Sequence, residues 1–189
     1  MHRLKTKRIG QITLNHRTIF GNYTEDFIMD FTNYCINKLG VKSWIKLNIN
    51  RKLKLKNCAG YIETFHYDEK SFAPFFKICV SYDNKNIKST LITIAHELTH
   101  AKQIIDGKWL INSYGYFWKN KFIIDHFQFN RLSLLDDEDI DEYNQLPWEI
   151  DAVENSYSLV EKYLRSETYQ NFLNYLKSYY INLDKYTNL

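Results

Sequence analysis

Apolar residues recur along most of this chain with one of two periods, and the period assigns the element. From Tyr23 to Leu39, Phe27, Ile28, Phe31, Tyr34, Cys35 and Leu39 return at helical spacing, and Gly40 marks the end of that helix. From Val41 the period changes to two. Ile45, Leu47 and Ile49 alternate with Trp44, Lys46, Asn48 and Asn50, which predicts a strand with one buried face, running into a basic turn that holds Leu53 and Leu55. Ala59 to Tyr67 and Pro74 to Tyr82 read as two further strands. Ile87, Leu91, Ile94, Ala95, Leu98, Ala101 and Ile105 then form an apolar stripe at helical spacing. With Asn86 as N-cap and Gly107 as stop, they predict a core helix of about twenty residues.

The flanking stretches are less regular. Residues 1–21 are basic and then mildly alternating, with Ile9, Ile12 and Leu14, and predict a short strand or an ordered lead-in. Trp109 to Ile124 predicts a hairpin or two short strands around the polar Lys119-Asn120-Lys121. Phe127 to Glu142 is acidic at Asp136, Asp137, Glu138, Asp139, Asp141 and Glu142 and reads as a solvated loop, without the ligand spacing or central glycine of a calcium loop. Pro147 suits the first turn of a helix, with Val153, Tyr157, Val160 and Leu164, flanked by Ala152 and Leu159, as its core face. Residues 167–181 predict a last helix. The class is α+β in a single domain over 1–189: lead-in and helix over 1–40, sheet over 41–83, core helix over 86–107, hairpin and acidic loop over 108–145, helices over 147–181. The sheet is expected to be small, mixed or antiparallel, and packed on the core helix.

Composition changes this picture little. At 189 residues and 44% hydrophobic, the chain can bury a core without help from a metal. A net charge of +3 does not by itself imply a polyanion partner. The basic residues Lys42, Lys46, Arg51, Lys52, Lys54 and Lys56 are explained as well by a solvated strand face as by nucleic acid. Cys35, Cys58 and Cys79 are odd in number and form no C-x-x-C pair, which suits a reducing compartment. No apolar run of signal-peptide length follows the basic start and no stretch is long enough to span a bilayer, so the expected address is cytoplasmic, with no membrane partner.

The core helix carries the chemistry. His96-Glu97-Leu98-Thr99-His100 fits H-E-x-x-H: the two histidines project from one helix face, one turn apart, and both can reach a single ion. A hydrolytic zinc takes three protein ligands and activates a water in the fourth position, with Glu97 placed to act as general base. The missing third ligand is sought on the helix after Pro147, where Glu149 and Asp151 lie about 200° apart and cannot both face one metal. His126 is the runner-up, with His66 and His2 behind it. A donor for the oxyanion of a tetrahedral intermediate is expected from Tyr143, with Tyr114 and Tyr116 as alternatives. Trp148 reads as a core tryptophan at a helix start, and as a wall of the pocket in the sharper reading.

Together these stretches resemble the gluzincin type of zinc metallopeptidase, in which a second helix carrying E-x-[DE]-A completes the site. Glu149-Ile150-Asp151-Ala152 matches that pattern, so the resemblance assigns the third ligand to Glu149 and a supporting or capping role to Asp151. More narrowly, the chain is similar to small metallopeptidases encoded in phage and other viral genomes, and distantly to SprT-like and ImmA/IrrE-like minimal zincins. Gly60-Tyr61, Lys102-Gln103 after the H-E-x-x-H run, Trp118-Lys119-Asn120 and Leu146-Pro147-Trp148-Glu149 carry that similarity, over about residues 41–165. SprT proteins use a third histidine and often a C-terminal zinc ribbon; this chain lacks the four-cysteine ribbon, and Val153 stands where an asparagine or aspartate often follows the alanine. The resemblance implies a minimal zincin fold, one Zn2+ per chain, hydrolysis of peptide or protein substrates through a zinc-activated water, and host cytoplasm if the gene is viral. The rival readings are a DNA-associated SprT-like protein and a catalytically silent zincin used as an interaction module.

Overall fold

The structure, a computed structural model, describes residues 4–9, 12–17, 22–50, 59–65, 75–81, 87–134 and 140–175. The expected lead-in is a hairpin: β1 (Leu4–Ile9) pairs antiparallel with β2 (Ile12–Arg17). Helix α1 (Asn22–Leu39) then carries the chain to β3 (Trp44–Asn50), which lies parallel to β2, a pairing that only a long crossover permits. The edge of the sheet is β4 (Gly60–Phe65), antiparallel to β5 (Phe75–Ser81), and β5 runs parallel to β3. The resulting order is β1-β2-β3-β5-β4, a mixed sheet.

Alternation in the sequence fixes which face is buried. Ile45, Leu47 and Ile49 stand opposite Phe76, Ile78 and Val80 across β3 and β5, and all six are buried. That face meets α1 and the core helix α2 (Ile87–Ile105) in one apolar cluster that includes Phe27, Phe31, Leu91, Ile94, Leu98 and Ala101. Each large side chain buried there contributes about 1.5–3 kcal/mol relative to exposure, enough to hold α2 firmly on the sheet. The helix ends where expected. Gly107 adopts φ +65°, and the Lys108 and Gly107 amides close back on the Gln103 and Ile104 carbonyls at 2.9 and 3.0 Å, a Schellman cap.

Beyond α2 the structure corrects three expectations. Trp109 to Ile124 is a three-stranded antiparallel sheet, β6 (Trp109–Asn112), β7 (Gly115–Trp118) and β8 (Lys121–Ile124). The extra turn lies at Ser113-Tyr114, where Asn112 Oδ1 accepts from the Tyr114 amide at 2.9 Å, while Lys119 and Asn120 both take positive φ in the second turn. The solvated loop is replaced over most of its length by two helices, α3 (His126–Leu134) and α4 (Ile140–Asn144). Asp125 starts α3, its carboxylate accepting from the Gln128 amide at 2.7 Å, and Phe129 and Leu132 turn toward a second apolar cluster.

The third correction concerns α5 (Pro147–Leu164), which begins at Pro147 as expected. Its buried face is Trp148, Glu149, Ala152, Ser156, Leu159, Val160 and Tyr163, whereas Val153 and Tyr157 are exposed. The expected face ranked positions by hydrophobicity, but α5 packs along α2, where small residues let two helices approach. Residues 167–175 form α6, whose Phe172 stacks on Phe27 with centroids 3.8 Å apart. Asn86, Pro74, the basic turn over 51–58, Asp136 to Asp139, His2, His66 and the end of the last helix lie outside the described residues. No helix among the described residues is long and apolar enough to cross a membrane.

The two α5 faces are separable by urea unfolding. Ala152→Leu is expected to cost about 1–3 kcal/mol through overpacking, whereas Val153→Lys stays within about 0.5 kcal/mol. The reverse order would contradict the assigned face.

Candidate metal centre

Helix α2 is buried on almost every side, which forces its polar groups to find partners within the protein. Thr93 and Thr99 donate to the carbonyls one turn back, Ser89 at 3.0 Å and Ala95 at 2.8 Å. His96, Glu97 and His100 have no such exit. His96 Nε2 and His100 Nε2 lie 3.0 Å apart, with the rings perpendicular. Across from them α5 presents Glu149, whose Oε2 is 3.1 Å from His96 Nε2 and whose Oε1 is 3.4 Å from His100 Nε2.

Among the described residues these three side chains form the one group of His, Cys, Asp or Glu whose donor atoms converge as metal ligands do. Atoms bound at about 2.0–2.1 Å to a tetrahedral ion stand roughly 3.3 Å from one another. The separations here, 3.0 Å between the two imidazole nitrogens and 3.1 and 3.4 Å from them to different oxygens of Glu149, are close to that spacing. Glu149 Oε1 is buried and makes no hydrogen bond. A buried carboxylate without a compensating cation costs several kcal/mol, so an ion of positive charge among these atoms stabilises what the fold has already paid to bury. The donor set, two imidazoles and one carboxylate, suits zinc.

The two glutamates respond oppositely to burial. Burial pushes Glu97 up to about 8; the His96 ring pulls the other way and Glu149 adds to the rise. Burial also acts to raise Glu149, but the His100 and His96 imidazoles facing it more than offset that and hold it at about 2. One carboxyl is thus tuned to carry a proton near neutrality and the other to remain an anion.

Glu97 is held in place from the sheet side by β4. A methyl group built on Gly60 would lie 2.5 Å from Thr93 Cγ2, 3.0 Å from Glu97 Oε1 and 3.2 Å from the Cys79 carbonyl oxygen. Only glycine lets the edge strand lie this close to the helix beside Glu97. From the other side, Gln103 links the helices: its Oε1 faces His100 Nδ1 at 2.8 Å, and its Nε2 donates to the Trp148 carbonyl at 2.9 Å and to Asp151 Oδ2 at 2.8 Å. Asp151 therefore reaches His100 through Gln103 and is not part of the group formed by His96, His100 and Glu149. Trp148 is fully buried, and Trp109, stacked on it at 5.4 Å, lies 5.1 Å from the His100 ring and screens it from water.

The remaining candidates have contacts of their own. His126 Nε2 is 2.6 Å from the Asn112 carbonyl and its ring packs on Tyr116, which ties α3 to the small sheet and keeps it out of the ligand group. Tyr114 is exposed at a turn, and Tyr116 stacks on Phe129. Tyr143 packs beside Phe129 in the second apolar cluster, with ring centroids 6.0 Å apart. Sequence reasoning missed Gln103, Thr93 and Trp109 as parts of the site. Of these only Gln103 left a signal, standing three residues after His100 on the same helical face. Compared with known proteins, the chain matches no family model, no curated protein and no solved structure.

Two outcomes follow from this geometry. Gly60→Ala is expected to destabilise by about 1–3 kcal/mol, and adding Thr93→Ser, which removes the opposing methyl, to recover part of the loss in urea unfolding. Strict additivity of the two changes would contradict the contact. Glu97, with its ordinary value of 4.5 raised to about 8, is neutral in the metal-free fold and ionised in the unfolded chain between those limits. Its contribution therefore worsens as pH rises from 4.5 to about 8. Glu97→Gln should lose less stability than wild type across that window, and parallel profiles would refute the raised value.

Proposed function

We propose that the chain is a zinc-dependent metallopeptidase in which His96, His100 and Glu149 hold the ion and Glu97 is the general base. The observation that carries this reading is the convergence of two imidazole nitrogens and one carboxylate from separate helices, with a buried glutamate next to the first histidine. When bound, zinc lowers the pKa of a coordinated water to about 7 and polarises the scissile carbonyl.

The chain's own residues supply the rest. Glu97 would accept the proton of the attacking water and return it to the departing amine, and the positive charge of an ion beside it would favour the carboxylate form that the first transfer needs. Glu149, held at about 2, stays an anion throughout and keeps its affinity for the ion. Trp109 and Trp148 exclude bulk water behind His100, which strengthens every charge interaction in front of it. The edge strand β4 runs past Glu97 at Gly60, so an extended peptide adding to its outer edge would bring a backbone carbonyl toward the ligand group. Substrates of this class are peptides or unfolded protein segments. Cys35 and Cys79, both free thiols, fit the reducing conditions of a cytoplasm.

Glu97→Gln separates chemistry from metal binding. The variant should keep its zinc while cleavage of an unfolded protein substrate falls by about 10²–10⁴-fold. A fully active Glu97→Gln protein would overturn the assigned role.

A further inference from the structure

We propose that Gln103 is a positioning residue that fixes which ring nitrogen of His100 is presented to the ligand group, and that it takes its own orientation from the helix carrying Glu149. A glutamine amide has one acceptor oxygen and two donor hydrogens. Gln103 faces the Trp148 carbonyl and the Asp151 carboxylate at 2.9 and 2.8 Å, both of which only accept when Asp151 is ionised. Turning the amide over would set its oxygen against two oxygens, so Nε2 stays on that side and Oε1 on the other.

The Gln103 oxygen lies 2.8 Å from His100 Nδ1, and an oxygen at that distance requires a hydrogen on the ring nitrogen. In a neutral imidazole the other nitrogen then carries the lone pair. That nitrogen is Nε2, the atom 3.0 Å from His96 Nε2 and 3.4 Å from Glu149 Oε1. Gln103 is buried, with 1% of its surface exposed, so water does not take over its hydrogen bonds. Trp148, which anchors the amide, directly precedes Glu149 in the chain. The same side chain therefore sets the tautomer of one ligand and registers the helical turn that delivers another.

This inference rests on the reading that His100 is a metal ligand, but its decisive test uses the metal-free protein. In 15N-labelled wild type at alkaline pH, long-range proton–nitrogen NMR should find His100 protonated on Nδ1. Gln103→Leu, which offers no acceptor, should shift His100 toward the Nε2-protonated form that free neutral imidazole favours. Zinc affinity, read by competition with a chelating indicator, should fall about 10–100-fold with it. Gln103→Glu combined with Asp151→Asn gives up the bond to the Trp148 carbonyl but keeps an acceptor oxygen for His100 and gains a donor at position 151, and should restore the Nδ1-protonated form. Such rescue is not expected of a residue that only fills space between helices. Wild type protonated on Nε2, or a folded Gln103→Leu with unchanged tautomer and zinc affinity, would overturn the proposal. Should Gln103→Leu fail to fold, the wild-type and doubly substituted proteins still decide it. A wild type that takes up no zinc yet shows the expected tautomers would defeat the metal reading and leave the role of Gln103 standing.

Discussion

A carboxylate buried between two imidazoles is the interaction to which the surrounding structure is fitted. Glu149 is 4% exposed, and its two oxygens face His96 and His100 at 3.1 and 3.4 Å. Keeping it there requires α5 to lie close along α2, which Ala152 and Ser156 permit by being small on the same buried face. It requires the first turn of α5 to be held in register, which Gln103 does through the Trp148 carbonyl. It also requires that α2 not move, and the apolar contact of Leu91, Ile94, Leu98 and Ala101 with the sheet and α1 supplies that rigidity. A loose site would lose its geometry for an ion, whose ligands must sit within a few tenths of an ångström of their places.

The neighbouring Glu97 is buried as deeply but lacks the partners of Glu149, and that difference sets the two carboxyls apart. Where two histidines face the carboxyl, the anion is favoured; at Glu97 in the metal-free fold burial outweighs the pull of His96 and pushes the carboxyl up to about 8. In the proposed function these would be ligand and proton carrier, distinguished by surroundings since the residue type is the same.

How much of this was legible in the sequence depends on the range of the interaction concerned. The stripe from Leu91 to Ala101, the alternation through β3 and the stop at Gly107 are local, and each has its expected place in the structure. The pairing of β2 with β3 across α1 is set by tertiary contacts and could not be read from Ile12 and Leu14. Asp125 did leave a signal as an N-cap, which the acidic run downstream obscured. On α5 hydrophobicity pointed to Val153 and Tyr157, yet the face is chosen by how closely α2 approaches, a property of Ala152 and Ser156 together. The separation of Glu149 from Asp151 around a helix was legible, and they do take different partners; that Asp151 works through Gln103 was not, because it depends on a contact across 48 residues.

The central claim is that three side chains from two helices form one zinc site. Elemental mass spectrometry of the purified protein, without added metal, tests it most directly when wild type is measured beside Glu149→Ala. The account predicts about one zinc per chain in wild type and a clear loss in the variant. No zinc in either, with none taken up on titration, would contradict it and leave α2 a core helix whose histidines pair only with Glu149.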